Sequence, residues 1–249
     1  MDKIREIPWP RIFAEGAAIV VSILLAFAIE AWWEGRRDRQ VEQSILSSLL
    51  DEFHGIEKRF AHERRTQQGI LDATQRLLHT ALESDTKLEK GSIDRNLADI
   101  GWTSDATEWN TAVLDGLIAS GDISLVSNTD LRRVLAIWPA QIEKIKLYYR
   151  EDADYFFSTL GPFLNMNAYM PPVANAGQFE PGHPENEFYV LRYSHSADYD
   201  NSTLLSDRAF QNILIDKVYR QENILRNAFS GLDEQLDATI QLLQEELSE

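Results

Sequence analysis

The stretch IFAEGAAIVVSILLAFAIEAWW, residues 12–33, decides the architecture that we predict for this chain. Between Gly16 and Ile29 it holds no charge, and Ser22 is its one polar side chain. As a helix that shorter run covers about 21 Å, less than the roughly 30 Å hydrocarbon thickness of a bilayer, and extension to the full stretch makes up the deficit. The stretch therefore predicts a single transmembrane helix.

Aromatic and basic residues flank this stretch at both ends. Indole rings favour the headgroup level of a bilayer, and arginine side chains can extend to lipid phosphate. The predicted interface anchors are Trp9, Arg11, Trp32, Trp33, Arg36 and Arg37. Three basic residues lie close to the stretch on each side, so the positive-inside tendency leaves the orientation open.

Two alternatives to an anchor remain for this segment. The small residues of Ala26-Phe27-Ala28 resemble a signal-peptide cleavage site, although Asp2, Glu6 and Glu15 are unusual in the region before such a site. The other alternative is a core helix of a globular protein. The anchor explains the flanking residues as well as the apolar run, and we expect it at residues 11–35, after an N-terminal tail of residues 1–10.

A row of small residues follows one face of the predicted span. Ala14, Ala18, Ser22 and Ala26 recur every four residues, and Glu30 continues the row. Small side chains at this spacing let a second helix approach closely. The row predicts helix–helix packing in the membrane, with a protein partner or with another copy of this chain.

The remaining residues, 36–249, have the composition of one folded domain. The 249-residue chain is 44% hydrophobic and 26% charged, and its net charge is −16, which opposes nucleic-acid binding. The absence of cysteine excludes disulfides, thiolate metal sites and thiol catalysis. The predicted partners of the chain are a lipid bilayer around the transmembrane helix and a protein partner or further copies of this chain, and no cofactor is predicted.

Hydrophobic periodicity predicts an all-α domain, an antiparallel helical bundle that continues from the transmembrane helix. Apolar residues follow a helical period in 41–60, and a polar interval separates them from a second stripe in 70–82. Further helices are predicted for 105–119 and 131–160, and a long helix or helix pair for 206–247. Residues 83–92 are predicted to form a loop.

Particular residues predict where these helices begin, bend and end. Gly121 is expected to end one helix in the left-handed conformation, and Asn128 or Thr129 to cap the next. Pro139 predicts a kink, because proline removes a helical donor. Ser230-Gly231 predicts the bend in the C-terminal helix.

Residues 161–205 predict one long irregular loop rich in proline, glycine and aromatic residues. Aromatic side chains on a long loop favour contact with a protein partner. The candidate contact residues are Tyr169, Phe179, Phe188, Tyr189 and Tyr193. His183 and His195, with the carboxylates near them, give the loop a second interpretation as a metal-binding or enzymatic segment.

Two segments together resemble a known kind of protein. The first is EGAAIVVSILLAFAIEAWWEGRRDRQ, followed by a leucine-rich helix that carries Asp51-Glu52. The second is TAVLDGLIASGDISLVSNTDLRRVLAIW, with an SG-x-I-x-L-V-SN-xx-LR motif. Over roughly the first 150 residues they resemble a family of bacterial single-span membrane proteins of unknown function. The resemblance implies a helical fold and a membrane location, and no activity.

No motif of an enzyme is present in the sequence, since phosphate-binding glycine loops, GxSxG and HExxH are all missing. No catalytic, cofactor-binding or metal-binding residue is predicted. The leading hypothesis is a membrane-anchored, non-enzymatic accessory or scaffolding protein. The alternatives are a membrane-tethered sensor that binds a small ligand in its bundle, and an enzyme or metal protein that uses residues 183–200.

Overall fold

The computed structural model describes residues 9–83, 88–101, 109–176 and 199–248, and the side chains of 9–19 and of 175 lie outside that description. The described ranges contain helices and no strand, which confirms the all-α prediction. The helices are α1 (Trp9–Leu82), α2 (Lys90–Ile100), α3 (Ala112–Ser120), α4 (Thr129–Tyr155), α5 (Gly161–Asn167), α6 (Met170–Ala176), α7 (Arg208–Asn223) and α8 (Leu232–Ser248).

Helix α1 runs for 74 residues without interruption. At 1.5 Å per residue it is about 110 Å long. Its second half supplies buried residues from Leu46 to Leu77, so the apolar N-terminal stretch and the domain share one helix. The polar interval 61–69, which separates the two predicted stripes, is part of the same helix.

The described side chains in the first part of α1 are exposed from Val20 to Gln40. Nine large apolar side chains in this segment are between 49% and 63% exposed: Val20, Val21, Ile23, Leu24, Leu25, Phe27, Ile29, Trp32 and Trp33. Among the described residues, no helix has a stretch that is both long enough and apolar enough to cross a membrane.

Two hydrophobic clusters form the core of the domain. The proximal cluster consists of buried apolar residues within Leu46–Phe60, Trp109–Leu117, Val126–Tyr149 and Ile224–Leu243. The distal cluster consists of buried apolar residues within Ala73–Leu77, Ile93–Ile100, Tyr155–Val173 and Leu204–Leu214. Helices α1, α4 and α7 with its continuation extend through both clusters, and they therefore define the long axis of the bundle.

The corner between α3 and α4 confirms two predictions and corrects a third. Gly121 adopts a φ of +81°, and the Asn128 side chain accepts hydrogen bonds from the backbone of Asp130 and Leu131. Helix α3 begins at Ala112 rather than at residue 105, and residues 102–108 lie outside the described ranges. Trp109 lies in non-helical backbone just before α3, and its side chain is buried in the core.

Buried carboxylates of α1 hold this corner in place. Glu52 accepts hydrogen bonds from the backbone N–H groups of Val113 and Leu114, at 2.7 and 3.0 Å. Glu42 accepts one from the N–H of Ser127 at 2.5 Å. The free N–H groups at a helix start need such acceptors. The motif around Ser120-Gly121 is thus a helical corner attached to α1.

The prediction that residues 161–205 form one irregular loop is wrong in its first and last parts. A π-helical segment, Phe156–Leu160, continues α4 directly into α5, and α6 follows. A 3₁₀ helix covers Asn201–Ser206. The described prolines of this region, Pro162, Pro171 and Pro172, stand in the first turn of α5 or α6, where a missing N–H breaks no helical hydrogen bond. Residues 177–198 lie outside the described ranges.

The C-terminal helix pair agrees with the prediction. Helix α7 passes into a second π-helical segment, Ile224–Ala228, and Gly231 then turns the chain into α8 with a φ of +69°. Helix α4 continues through Pro139. Helix α2 begins at Lys90, inside the region predicted as a loop.

Candidate functional site

A layer of buried polar residues separates the two hydrophobic clusters. Helix α1 contributes Glu63 and Gln67, α4 contributes Asp152, and α7 contributes Lys217 and Gln221. These five residues are between 0% and 3% exposed. Polar groups are costly to bury unless they are paired. We call these five residues the polar layer.

Lys217 and Asp152 form an ion pair inside this layer. The Lys217 ammonium donates hydrogen bonds to both carboxylate oxygens of Asp152, each at 2.9 Å. The two side chains are 0% and 5% exposed. Burial lowers the pKa of Lys217, while the neighbouring carboxylate opposes that shift. The ion pair thus fixes α7 against α4 at the level where apolar packing is interrupted.

A second buried contact joins α4 to α1. The Tyr149 hydroxyl donates a hydrogen bond to Glu63 at 2.9 Å, and Arg59 pairs with the same carboxylate at 2.5 Å. Burial raises the pKa of Tyr149, and the negative charge of Glu63 raises it further. The phenol therefore stays a hydrogen-bond donor throughout the physiological pH range.

Gln221 differs from the other members of the layer. It is fully buried, and neither its amide nitrogen nor its amide oxygen has a hydrogen-bond partner among the described residues. A buried amide without partners costs free energy in the folded state. Residues kept at such a cost are candidates for a role other than stability.

Replacement of Gln221 by methionine should stabilise the domain by about 1–3 kcal/mol, because an apolar side chain of similar size removes the cost of the unpaired amide. The measurement is urea unfolding of wild type and Gln221→Met, followed by far-UV circular dichroism. Gln211→Met on the same helix is the matched control. The Gln211 amide donates to the carbonyls of Ala81 and Leu205, so that variant should be destabilised. A destabilised Gln221→Met would show that the amide has a stabilising partner.

A cavity opens to solvent beside the polar layer, between α4 with its π-helical continuation and α7. Its volume is about 680 Å³. Asp152 lines it together with Tyr148, Tyr155, Tyr219 and Arg220. The first π-helical segment adds Ser158 and Thr159 to its wall, and the second begins one residue after the lining residue Asn223. Short π-helical segments within α-helices are frequent at functional sites.

Arg220 and Tyr155 interact across this cavity. The Arg220 guanidinium carbon lies 4.3 Å from the centre of the Tyr155 ring, and the guanidinium donates to the carbonyl of Glu151 at 3.2 Å. The Tyr155 hydroxyl donates to the carbonyl of Ile213 at 2.9 Å. Burial raises the pKa of Tyr155 to about 12, and the charge of Asp216 contributes to the shift. A cation thus already rests on one aromatic ring of the cavity.

Of the five predicted contact residues of the long loop, the structure describes Tyr169. Its ring lies 5.2 Å from that of Tyr199, and its N–H donates to Asn201 at 2.8 Å. Buried Asp94 of α2 accepts hydrogen bonds from the Tyr199 hydroxyl and the Asn201 amide. Tyr169 therefore belongs to a junction in which α2 contacts residues on both sides of the range 177–198. Phe179, Phe188, Tyr189, Tyr193, His183 and His195 lie outside the described residues.

The predicted membrane residues are described in part. Trp32 and Trp33 are exposed and form an edge-to-face pair at 5.5 Å, and Arg36 lies 5.6 Å from the Trp32 ring. Ser22, Ala26, Glu30 and Arg37 are exposed on the same helix. The side chains of Trp9, Arg11, Ala14 and Ala18 lie outside the description. Packing along the small-residue row stays a prediction.

The polar layer was not singled out in the sequence, although a signal for it exists. Lys217 and Gln221 continue the helical period of the buried residues Phe210, Ile213 and Leu214. Asp152 likewise continues the buried period that reaches Tyr149. Polar residues on apolar positions of three helices would have indicated the layer. Among the described residues, no three or more histidine, aspartate or glutamate side chains are grouped so that they could hold a metal ion.

Comparison with known proteins adds no relative from which a function could be transferred. No family model, no curated protein and no solved structure matches the chain. The resemblance of the first 150 residues to a single-span membrane family therefore stays a prediction.

Proposed function

We propose that this chain is a single-pass protein of the bacterial inner membrane, whose helical domain acts as a non-enzymatic accessory or scaffolding unit. The observation that carries the proposal is the continuity of α1. One helix holds an exposed apolar segment at its N-terminal end and core residues of the domain at the other. A helix of this kind holds the domain at a fixed distance and orientation from whatever surrounds its apolar end.

The distribution of the exposed apolar residues supports lipid as that surrounding. Successive residues of a helix are separated by about 100°, so the large side chains from Val20 to Trp33 point in all directions around the axis. A protein partner covers one face of a helix, whereas a bilayer surrounds it. Removal of each large apolar side chain from water contributes roughly 1.5–3 kcal/mol. With residues 12–19 the apolar stretch reaches bilayer length.

The interaction role rests on the shape and charge of the protein. A charge of −16 disfavours nucleic acid, and a stiff helix leading into a bundle offers surfaces for a protein partner or a second copy. The small-residue row from Ala14 to Glu30 is the proposed contact within the membrane.

Alkaline carbonate extraction of membranes tests the anchor. Wild type should remain in the membrane pellet. The double variant Leu24→Arg/Phe27→Arg should appear in the supernatant, because each arginine at the centre of a span costs about 2.5–3.5 kcal/mol on insertion scales. Leu147→Arg/Ile215→Arg is the matched control: it places two arginines at exposed apolar positions of α4 and α7 and should stay in the pellet. Extraction of the wild type by carbonate would overturn the anchor.

The same membranes test the interaction role. Protein solubilised in a mild detergent is purified, and its mass is measured by light scattering with mass spectrometry of the retained chains. A stoichiometric second protein would support an accessory subunit, and a discrete oligomer of this chain would support self-association through the span. Recovery of a monomer with no second protein would contradict both the accessory-subunit role and self-association.

A membrane-tethered sensor is the second candidate, and the cavity beside the polar layer favours it. The cavity lies between two helices that both reach across the two hydrophobic clusters. A ligand that pulled α4 and α7 together would therefore alter the packing of the whole bundle around α1.

A further inference from the structure

The cavity between α4 and α7 combines two kinds of group that together recognise cations. Three tyrosine rings line it, those of Tyr148, Tyr155 and Tyr219. Four carboxylates line it as well, those of Glu151, Asp152, Asp154 and Asp216. Aromatic faces attract cations through their quadrupoles, and they do so for organic ammonium groups in particular.

We propose that this cavity binds a linear aliphatic amine with two or more ammonium groups. Such a ligand matches both parts of the lining, because its methylene chain packs against the rings and its ammonium groups meet the carboxylates. A volume of about 680 Å³ leaves ample room for such a chain. An inorganic ion would use the carboxylates and leave the rings without a role.

The charges of the lining point to more than one ammonium group. Against the four carboxylates stand the Arg220 guanidinium and the Lys217 ammonium, which lies behind Asp152 and neutralises it. Two negative charges remain without a balancing cation in the lining. A diamine carries two positive charges at neutral pH and supplies the balance.

Arg220 shows how a cation sits in this cavity. Its guanidinium lies over the Tyr155 ring at 4.3 Å, while its Nε has no hydrogen-bond partner among the described residues. Tyr155 is 7% exposed and Arg220 already covers one face of its ring, so the ring surface that a ligand can reach comes from the other two tyrosines. The rings of Tyr148 and of Tyr219, which is 69% exposed, offer the remaining aromatic surface. All lining residues of the cavity lie within 148–223, outside the proposed membrane anchor.

Isothermal titration of the full chain in a non-ionic detergent tests the proposal, with spermidine as the probe. Wild type should show saturable one-site binding. Tyr219→Leu should weaken it about 5-fold, the loss expected for one partly desolvated cation–π contact. Asp216→Asn should weaken it by a similar factor. Asp237→Asn, an exposed acid of α8 outside the cavity, is the matched control and should bind like wild type.

Three outcomes would overturn the proposal. The first is no saturable heat with spermidine at millimolar concentration. The second is an equal loss of affinity in Asp216→Asn and Asp237→Asn, which would mean general attraction to an acidic surface. The third is a result that leaves the rings without a role, shown either by unchanged affinity in Tyr219→Leu or by full displacement of spermidine by magnesium at equal charge. Since Tyr219 and Asp216 are exposed, both variants should fold, and circular dichroism verifies it.

Discussion

Replacement of Lys217 by methionine is expected to destabilise the domain by about 3–5 kcal/mol, the cost of leaving one member of a buried ion pair without its partner. Asp152 would keep its buried position between α4 and α7 but lose both of its hydrogen bonds at 2.9 Å. Domains of this size are stable by about 5–15 kcal/mol, so the variant should lose a large part of its folding free energy. Urea unfolding, followed by far-UV circular dichroism, measures the loss.

The double variant Lys217→Met/Asp152→Leu separates the pair from its surroundings. Both charges are then absent, and apolar residues of similar size fill the space, so stability should return to near the wild-type value or exceed it. A double variant as unstable as the single one would mean that the layer needs its charges for packing. A single variant within 1 kcal/mol of wild type would contradict the burial of the pair.

Replacement of Trp138 by alanine is expected to cost about 3–5 kcal/mol, as for other large aromatic residues in a packed core. Trp138 is 1% exposed in the proximal cluster, and its ring packs edge-to-face on Phe53 at 5.1 Å. Its indole N–H donates to the hydroxyl of Thr239 at 3.0 Å. The residue therefore joins α4 to α1 and to α8, and its loss leaves a cavity where three helices meet.

Phe157→Ala provides the matched comparison for this variant. Phe157 is 70% exposed on the first π-helical segment, so truncation should change the free energy of unfolding by less than about 0.5 kcal/mol. The same urea titration measures both variants. A similar loss in the free energy of unfolding for Trp138→Ala and Phe157→Ala would contradict the burial of Trp138 and the exposure of Phe157.

The two large predictions concern different layers of one bundle. Trp138 belongs to a hydrophobic cluster, whose stability rests on close packing, while Lys217 and Gln221 interrupt that packing with polar groups. Gln221→Met is expected to be stabilising, so the chain keeps an amide that stability alone disfavours. Gln221 shares its buried layer with Asp152, which lines the cavity, and functional sites commonly retain groups that cost folding free energy.

Much of the helical pattern could be predicted from local sequence. Gly121 and Gly231 have positive φ, which glycine adopts without steric cost, and each stands where a turn was predicted. Asn128 caps α4 through its own side chain. These features depend on a few neighbouring residues, so the sequence is sufficient to find them.

Other helix ends depend on distant contacts. The start of α3 at Ala112 is set by the Glu52 carboxylate, which is 61 residues away in the chain from Val113. In the sequence, the prolines at the start of α5 and α6 predict a loop. They do so because the sequence alone does not show that each stands in the first turn of a helix. The acceptor for α3 comes from α1 and the main neighbour of α6 is α2, and only the folded chain brings these elements together.

By itself, the sequence determined an all-helical chain with an apolar N-terminal helix that enters an acidic domain without a break. Helical period, capping residues and glycine turns are local properties, and each is encoded within a few residues. Only the tertiary structure decided that Asp152, Lys217 and Gln221 share one buried layer beside a cavity of tyrosines and carboxylates. The physical reason is that burial of a polar side chain depends on which helices surround it, and those helices are far apart in the chain.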